Sequence, residues 1–366
     1  MISYPLLPSL TNTLDAIFRP CYYLPFRKNR QFVGRSTILE ALEKKLFIEQ
    51  SETVALVGLG GIGKTQVALQ FAYSVKTKQE YSIFWVAALS EASFEKAYAE
   101  LAHQLGVKKS KEDEDVKDLV HYHLCSEKAG KWLLIVDNAD DIEVVIGSKG
   151  KHGIYQYLPN SESGRVVFTT RSREVAVAVA GSDIIDLREM TQEEATAFMK
   201  TSLTRKELLQ DEETTVELLR ELTYLPLAIA QAVAYLNQNQ ISVRKYLGLL
   251  RGTEQSKVSL LSRGFHDRTR YEGLQNAVAT TWLVSFAQIQ RSDKTAASIL
   301  RFVSCIEPKA IPRSILPEVE RRKKWSMRLG LSGGMLSCRN EEMRRCLICI
   351  ASCMWRLGYG WKARGL

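Results

Sequence analysis

Five short apolar runs recur in the first half of the chain, at residues 53–57, 82–88, 132–136, 165–169 and 183–187. Each is bounded by polar or glycine-containing segments, which predicts strands. Between them the apolar residues fall at three- and four-residue spacing. Leu39, Leu42 and Leu46 form one such set; Val67, Ala68, Phe71, Ala72 and Val75 form another; Phe94, Ala97, Tyr98, Leu101 and Leu105 form a third. That period predicts helices. Strands alternating with helices imply an α/β fold with a five-stranded parallel sheet covered on both faces. Residues 108–117 carry dense charge of both signs and read as a solvated loop or helix start, and the polar stretch 148–163 reads as another loop.

The pattern changes on either side of this alternation. Residues 1–31 hold four prolines and no clear period, so an extended lead-in is expected there. Beyond residue 190 no further strand is expected. Helical patterns run from 191 to about 201, then over 212–222 and 226–236, which predicts a helical bundle. A linker rich in Ser, Gly and Arg covers 251–266, and a further helical stretch covers 274–304. No internal repeat and no heptad seam is found.

Composition alters this picture little, but charge does. Of 366 residues, 45% are hydrophobic and 25% charged, as in ordinary globular proteins. No apolar run approaches the roughly 18–20 residues of a membrane span. The N-terminus lacks the layout of a secretory signal, so a cytoplasmic protein is expected. The seven cysteines are odd in number and unevenly placed, which does not suggest a disulfide framework. The net charge of +9 is confined to residues 321–366, which hold eleven Lys/Arg and two Glu. The remaining residues carry 39 charges of each sign. A neutral core argues against a nucleic-acid partner.

The strongest chemical signal is Gly58-Leu59-Gly60-Gly61-Ile62-Gly63-Lys64-Thr65. It fits the phosphate-binding pattern G-x-x-x-x-G-K-[ST], and it sits between an apolar strand and a helical pattern, the context that pattern needs. Glycines let successive backbone N–H groups face one anion, and the helix N-terminus adds unsatisfied donors. Lys64 is expected to reach the β/γ-phosphates and Thr65 to ligate Mg²⁺. A second half of the metal site is expected at the end of a buried strand. Leu133-Leu134-Ile135-Val136-Asp137 supplies it, with Asp137 at the edge where ligands bind in open α/β sheets. The next residue is Asn138. An amide can orient a water but cannot take its proton, so Asn138 predicts weak hydrolysis unless Asp140 or Asp141 substitutes. Arg171, at the end of the fourth strand, is a candidate γ-phosphate sensor.

Taken in order, Phe32-Val33-Gly34-Arg35, the glycine loop at 58–65, LLIVDNADD at 133–141, VVFTTRS at 166–172 and YLPLAIAQAVAYL at 224–236 resemble the NB-ARC family of STAND-class P-loop NTPases, within the ASCE/AAA+-like group. The strings at 83–88, 136–141 and 281–286 resemble fungal NOD-like receptors in particular. The resemblance implies that Val33 and Arg35 lie beside the adenine, where the family usually continues with Glu and this chain has Ser36. It implies phosphate contacts from Gly58, Gly60, Gly61, Ile62, Gly63, Lys64 and Thr65, with Gln66 beside them. It implies a Mg²⁺-linked acid at Asp137, a first sensor at Arg171 and an adenine-packing proline at Pro226, with Tyr224 in place of the family's glycine. It divides the chain into a lead-in at 1–31, a nucleotide-binding domain at 32–189 and a helical ARC1-like subdomain at 190–252. A partial winged-helix-like region at 253–317 and a basic tail at 318–366 complete the division.

The function so implied is an ADP/ATP-binding signalling switch of the innate-immunity or cell-death kind. It would have protein partners, nucleotide-dependent self-association and at most slow ATP hydrolysis. An active AAA+-like ATPase and a nucleic-acid-associated regulator are the alternatives. The family's Met-His-Asp motif is not found, since no His follows His266. For the tail, with Cys338, Cys346, Cys349 and Cys353, the readings are a zinc site, a basic amphipathic membrane-surface helix, or a truncated end that does not fold.

Overall fold

A computed structural model describes residues 20–251, apart from Ser110 and Lys149. The expectations for the winged-helix-like region, the basic tail and residues 1–19 lie outside the described residues. The chain opens with β1 (Tyr22–Tyr23), followed by α1 (Ser36–Glu43), which runs on into a π-helical turn at Lys44–Ile48. Then come β2 (Thr53–Val57), α2 (Lys64–Lys78), β3 (Ser82–Ala87), α3 (Glu91–Gln104), α4 (Val116–Cys125) and β4 (Trp132–Asp137). A short α5 (Ile142–Val145) leads to a two-stranded hairpin of β5 (Gly147–Ser148) and β6 (Lys151–His152) inside the expected 148–163 loop. The core resumes with β7 (Gly164–Thr170), α6 (Arg173–Ala180) and β8 (Ile184–Asp186). Four helices follow: α7 (Gln192–Ser202), α8 (Glu212–Glu221), α9 (Pro226–Asn239) and α10 (Val243–Arg251).

The main sheet is parallel throughout and ordered β1-β3-β4-β7-β2-β8. It therefore has six strands, one more than the pattern predicts. The extra strand is β1, two residues at the edge of β3, pairing Tyr22 with Ile83. Two residues are too few to display a period, so the lead-in reads as featureless in sequence. It is nevertheless anchored. Cys21 donates its N–H to Ser82 Oγ at 3.0 Å, Tyr73 Oη donates to the Phe26 carbonyl at 2.8 Å, and Phe26 meets Trp85 edge-on.

Successive side chains along each central strand enter different cores. Val54, Leu56, Ile83, Trp85, Leu133, Ile135 and Val167 point into one. Ala55, Phe84, Val86, Leu134, Val136, Val166 and Phe168 point into the other. This is why the strands read as continuous apolar runs rather than alternating ones. The first core is shared with α2 and continues through Met190, Ala195, Leu218, Leu222, Ile229, Leu236 and Tyr246 of the helical segment. The second is closed by Phe94, Tyr98 and Leu101 of α3, Val120 and Leu124 of α4, and Val175 of α6. Burying Trp132 leaves its indole N–H to be satisfied, and it donates to the Leu124 carbonyl at 2.9 Å. Among the described residues no helix is long and apolar enough to cross a membrane.

Candidate nucleotide site

Because β2, β4 and β7 are adjacent and parallel, their C-terminal ends lie along one edge of the sheet. The glycine loop leaves β2 there, Asp137 closes β4, and Arg171 follows β7. Three motifs spread over more than a hundred residues are thus brought together by strand register.

The loop is shaped from both sides. Gly61 has φ +83, and a Cβ on it would lie 3.0 Å from Leu227 Cβ, so a side chain would be strained and crowded. The Gly61 carbonyl accepts the Leu227 N–H at 3.1 Å, which satisfies one orphan donor in the first turn of α9. Pro226 occupies the first position of that helix, where its missing N–H costs nothing, and it faces the loop at Gly63. Lys64 is buried and its ammonium donates to the Gly58 and Leu59 carbonyls at 2.8 and 3.1 Å, so the side chain folds back onto its own loop. Gln66 Oε1 accepts from Asn29 Nδ2 at 2.8 Å, tying the lead-in to the first turn of α2.

Asp137 is wholly buried. Its Oδ1 accepts the Thr65 hydroxyl at 2.9 Å and the Thr169 hydroxyl at 2.5 Å, and its Oδ2 accepts Asn138 Nδ2 at 3.0 Å. A hydroxyl of the loop and a buried carboxylate thus meet as two hard oxygen donors, which fits a Mg²⁺ ion carried on nucleotide phosphates. Among the described residues no cluster of His, Cys, Asp and Glu forms a separate metal site.

The residues considered as substitutes for a second acid are engaged elsewhere. Asp140 Oδ1 accepts the Arg171 N–H at 2.6 Å, and its Oδ2 lies 3.2 Å from Arg171 Nε. Asp141 caps α5 by accepting the Glu143 N–H. Arg171 therefore stands at the sheet edge with its side chain against Asp140.

Arg35 is also buried, in a left-handed backbone conformation with φ 62. Its guanidinium donates to the Ile62 carbonyl of the loop at 3.3 Å and to the Glu189 carbonyl at 3.4 Å. Burial pushes its pKa below the ordinary arginine value, and the Glu194 and Glu189 carboxylates oppose that shift. Val33, two residues before it, is half-buried. Residues that the sequence reading did not single out complete the constellation: Asn29 on Gln66, Thr169 on Asp137, and Glu194 on Arg35. Thr169 stood in view beside Thr170 and Arg171, but nothing local marks it as a partner of Asp137, which is 32 residues away.

Residues 35–209 match the NB-ARC domain family. This segment is an NB-ARC domain. A nucleotide-binding leucine-rich repeat (NLR)-like protein of the fungus Hyaloscypha variabilis is 37% identical over 316 residues, 82% of this chain and 32% of that protein. The transcription activator GutR of Bacillus subtilis is 27% identical over 253 residues, 61% of this chain and 29% of that protein. The chain thus spans about a third of the length of these relatives. Among solved structures, a Walker-type ATPase of Pyrococcus abyssi is similar with a TM-score of 0.49 and 12% identity, covering 78% of this chain and 82% of that one. The NB-ARC match agrees with the α/β P-loop architecture described above.

Proposed function

We propose that the protein is a nucleotide-dependent signalling switch that holds ADP or ATP with Mg²⁺ at the edge formed by β2, β4 and β7. One observation carries this reading: the Thr65 hydroxyl of the glycine loop is hydrogen-bonded to the wholly buried Asp137 at the end of β4. In this reading the loop N–H groups and Lys64 take the phosphates, and Thr65 and Asp137 hold the metal ion. Val33, Arg35 and Pro226 flank the nucleoside, and Arg171 is the candidate γ-phosphate contact. The bound ion would supply charge neutralisation at the phosphates. The chain's own residues would bind and orient the nucleotide but are poorly equipped to activate water. Asn138 donates its amide to Asp137, and Asp140 and Asp141 have other partners. Similarity to an NLR-like protein supports signalling by protein contacts and self-association, with hydrolysis serving at most to reset the state.

Denaturing the purified protein and identifying the released small molecule tests this directly, and stoichiometric ADP is the expected result. Lys64→Ala is expected to lose nucleotide retention while keeping an unchanged circular dichroism spectrum. Normal ADP binding by that variant in calorimetry would remove the site. Steady-state ATP turnover is expected below about 1 s⁻¹, under the ordinary enzyme range; tens per second would defeat the switch reading.

A further inference from the structure

Glu194 lies in the first turn of α7, outside the loops that build the nucleotide site, yet it is bonded into them. Its Oε2 accepts the Thr191 N–H at 3.1 Å, and its own N–H donates to Thr191 Oγ1 at 3.2 Å, which together form a capping box at the start of the helix. Its other oxygen, Oε1, accepts the Arg35 N–H at 2.6 Å. Arg35 Nη1 lies 4.0 Å from Oε2. A capping box needs only one of the two carboxylate oxygens, so the second bond is additional to helix initiation.

The segment on the far side is fitted to this carboxylate. Gly34 has φ +71, and a Cβ there would fall 2.6 Å from Glu194 Oε1. Arg35 is left-handed in turn, which aims its N–H at the same oxygen. From this fixed point the Arg35 guanidinium reaches the Ile62 carbonyl, inside the glycine loop. A continuous chain of contacts therefore joins α7 to the phosphate loop: Thr191, Glu194, Arg35, Ile62. Hydrogen bonds with an ionised donor or acceptor are about twice as strong as neutral ones, and of those in this chain the bond from the Arg35 N–H to Glu194 is the shortest, at 2.6 Å.

We propose that Glu194 is a positioning residue of the nucleotide site. It holds Gly34 and Arg35 against the phosphate loop and makes nucleotide affinity depend on the docking of α7. The proposal rests on the reading of residues 58–65 as the nucleotide site. Pre-forming the loop before binding lowers the ordering cost that binding would otherwise carry. Loss of the anchor should therefore appear as weaker ADP binding rather than as general unfolding.

The test uses the full chain, stripped of nucleotide, with ADP titrated in a calorimeter. Glu194→Ala removes the Glu194 half of the capping box and the Arg35 bond; Thr191→Ala removes only the Thr191 half; Glu194→Gln keeps a single acceptor oxygen. Loss of one charge-assisted bond should weaken ADP binding about tenfold in Glu194→Ala. Thr191→Ala should stay within about threefold of the unaltered protein, and Glu194→Gln should recover only part of the loss, since its one amide oxygen can accept from the Arg35 N–H or complete the capping box but not both. Unchanged affinity in Glu194→Ala overturns the proposal. So does an equal loss in Thr191→Ala and Glu194→Ala, which would reduce the effect to helix stability. Lys64→Ala, measured in parallel, separates the two levels. Its failure to lose ADP would remove the site itself, whereas intact ADP binding in Glu194→Ala alone would remove only the anchor.

Discussion

Asn138 follows the buried aspartate with a left-handed backbone, φ 60, a conformation that Asn tolerates better than most residues. From there Nδ2 donates to Asp137 Oδ2 and the backbone N–H donates to Thr169 Oγ1 at 3.0 Å. In sequence, Asn138 is visible only as the lack of a second acid. In the structure it is a donor that helps hold the carboxylate it follows. Asn138→Asp would replace that donor with a like charge beside a buried carboxylate. The expected cost is about 1–3 kcal/mol, the range for leaving a buried polar group without its partner. The urea midpoint measures it, and a midpoint equal to that of the unaltered protein would contradict this role. Turnover should not rise in the variant, because a repelled carboxylate is not thereby aimed at a water.

The turn between α8 and α9 shows how one element is aimed at another. Thr223 and Tyr224 both have φ 52, and the chain reverses there so that α9 begins at Pro226 on the glycine loop. The Tyr224 carbonyl accepts the Met190 N–H at 3.1 Å, which joins this turn to the segment before α7. Where the NB-ARC family has glycine, Tyr224 carries a side chain in a backbone conformation that favours glycine. Thr223 carries the greater strain, since a β-branched residue at positive φ is a rare conformation. Left-handed backbone costs an L-residue roughly 1–2 kcal/mol, of which glycine's added chain entropy cancels part. Thr223→Gly should therefore stabilise the protein by about 0.5–1 kcal/mol and raise the thermal midpoint by about 1–3 °C. A lowered midpoint would mean that the Thr223 side chain contributes more than its backbone costs.

Among the ion pairs that join elements distant in sequence in the described residues, two also lower the pKa of their carboxyl group. Asp211 caps α8 and pairs with Arg244 of α10 at 2.8 Å; Asp183, just before β8, pairs with Lys45 after α1 at 2.7 Å. The hydrogen bond from Arg244, followed by those from Thr214, holds the Asp211 carboxyl down to about 2, below its ordinary 3.8. The hydrogen bond from Lys45 likewise lowers Asp183. A carboxyl lowered on folding stabilises fully above its unfolded value and loses that contribution as pH falls through the folded one. Stability should therefore decline between about pH 4 and pH 2, and Asp211→Asn should flatten that decline. Denaturant midpoints taken across this window check it; an unaltered slope would show that the pair does not couple α8 to α10 in solution. The residues that pair here, like those around the glycine loop, lie far apart in the chain, and this separates what could be read from sequence. The alternation of strands and helices, five of the six strands of the main sheet and the glycine loop were legible because each depends on neighbouring residues, through side-chain period and local backbone freedom. Asp137 and Arg171 were legible as strand ends. What each one touches was not. Glu194 meets Arg35 across 159 residues, Asn29 meets Gln66 across 37, and Asp140 meets Arg171 across 31. The two-residue β1 was hidden for the opposite reason, being too short to show any period. By itself the sequence determined an α/β protein with a phosphate loop and an acid at a strand end, because local sterics and apolar spacing decide those features. Only the tertiary structure decided which side chains support that loop, because parallel strand register and the docking of α7 and α9 bring them together.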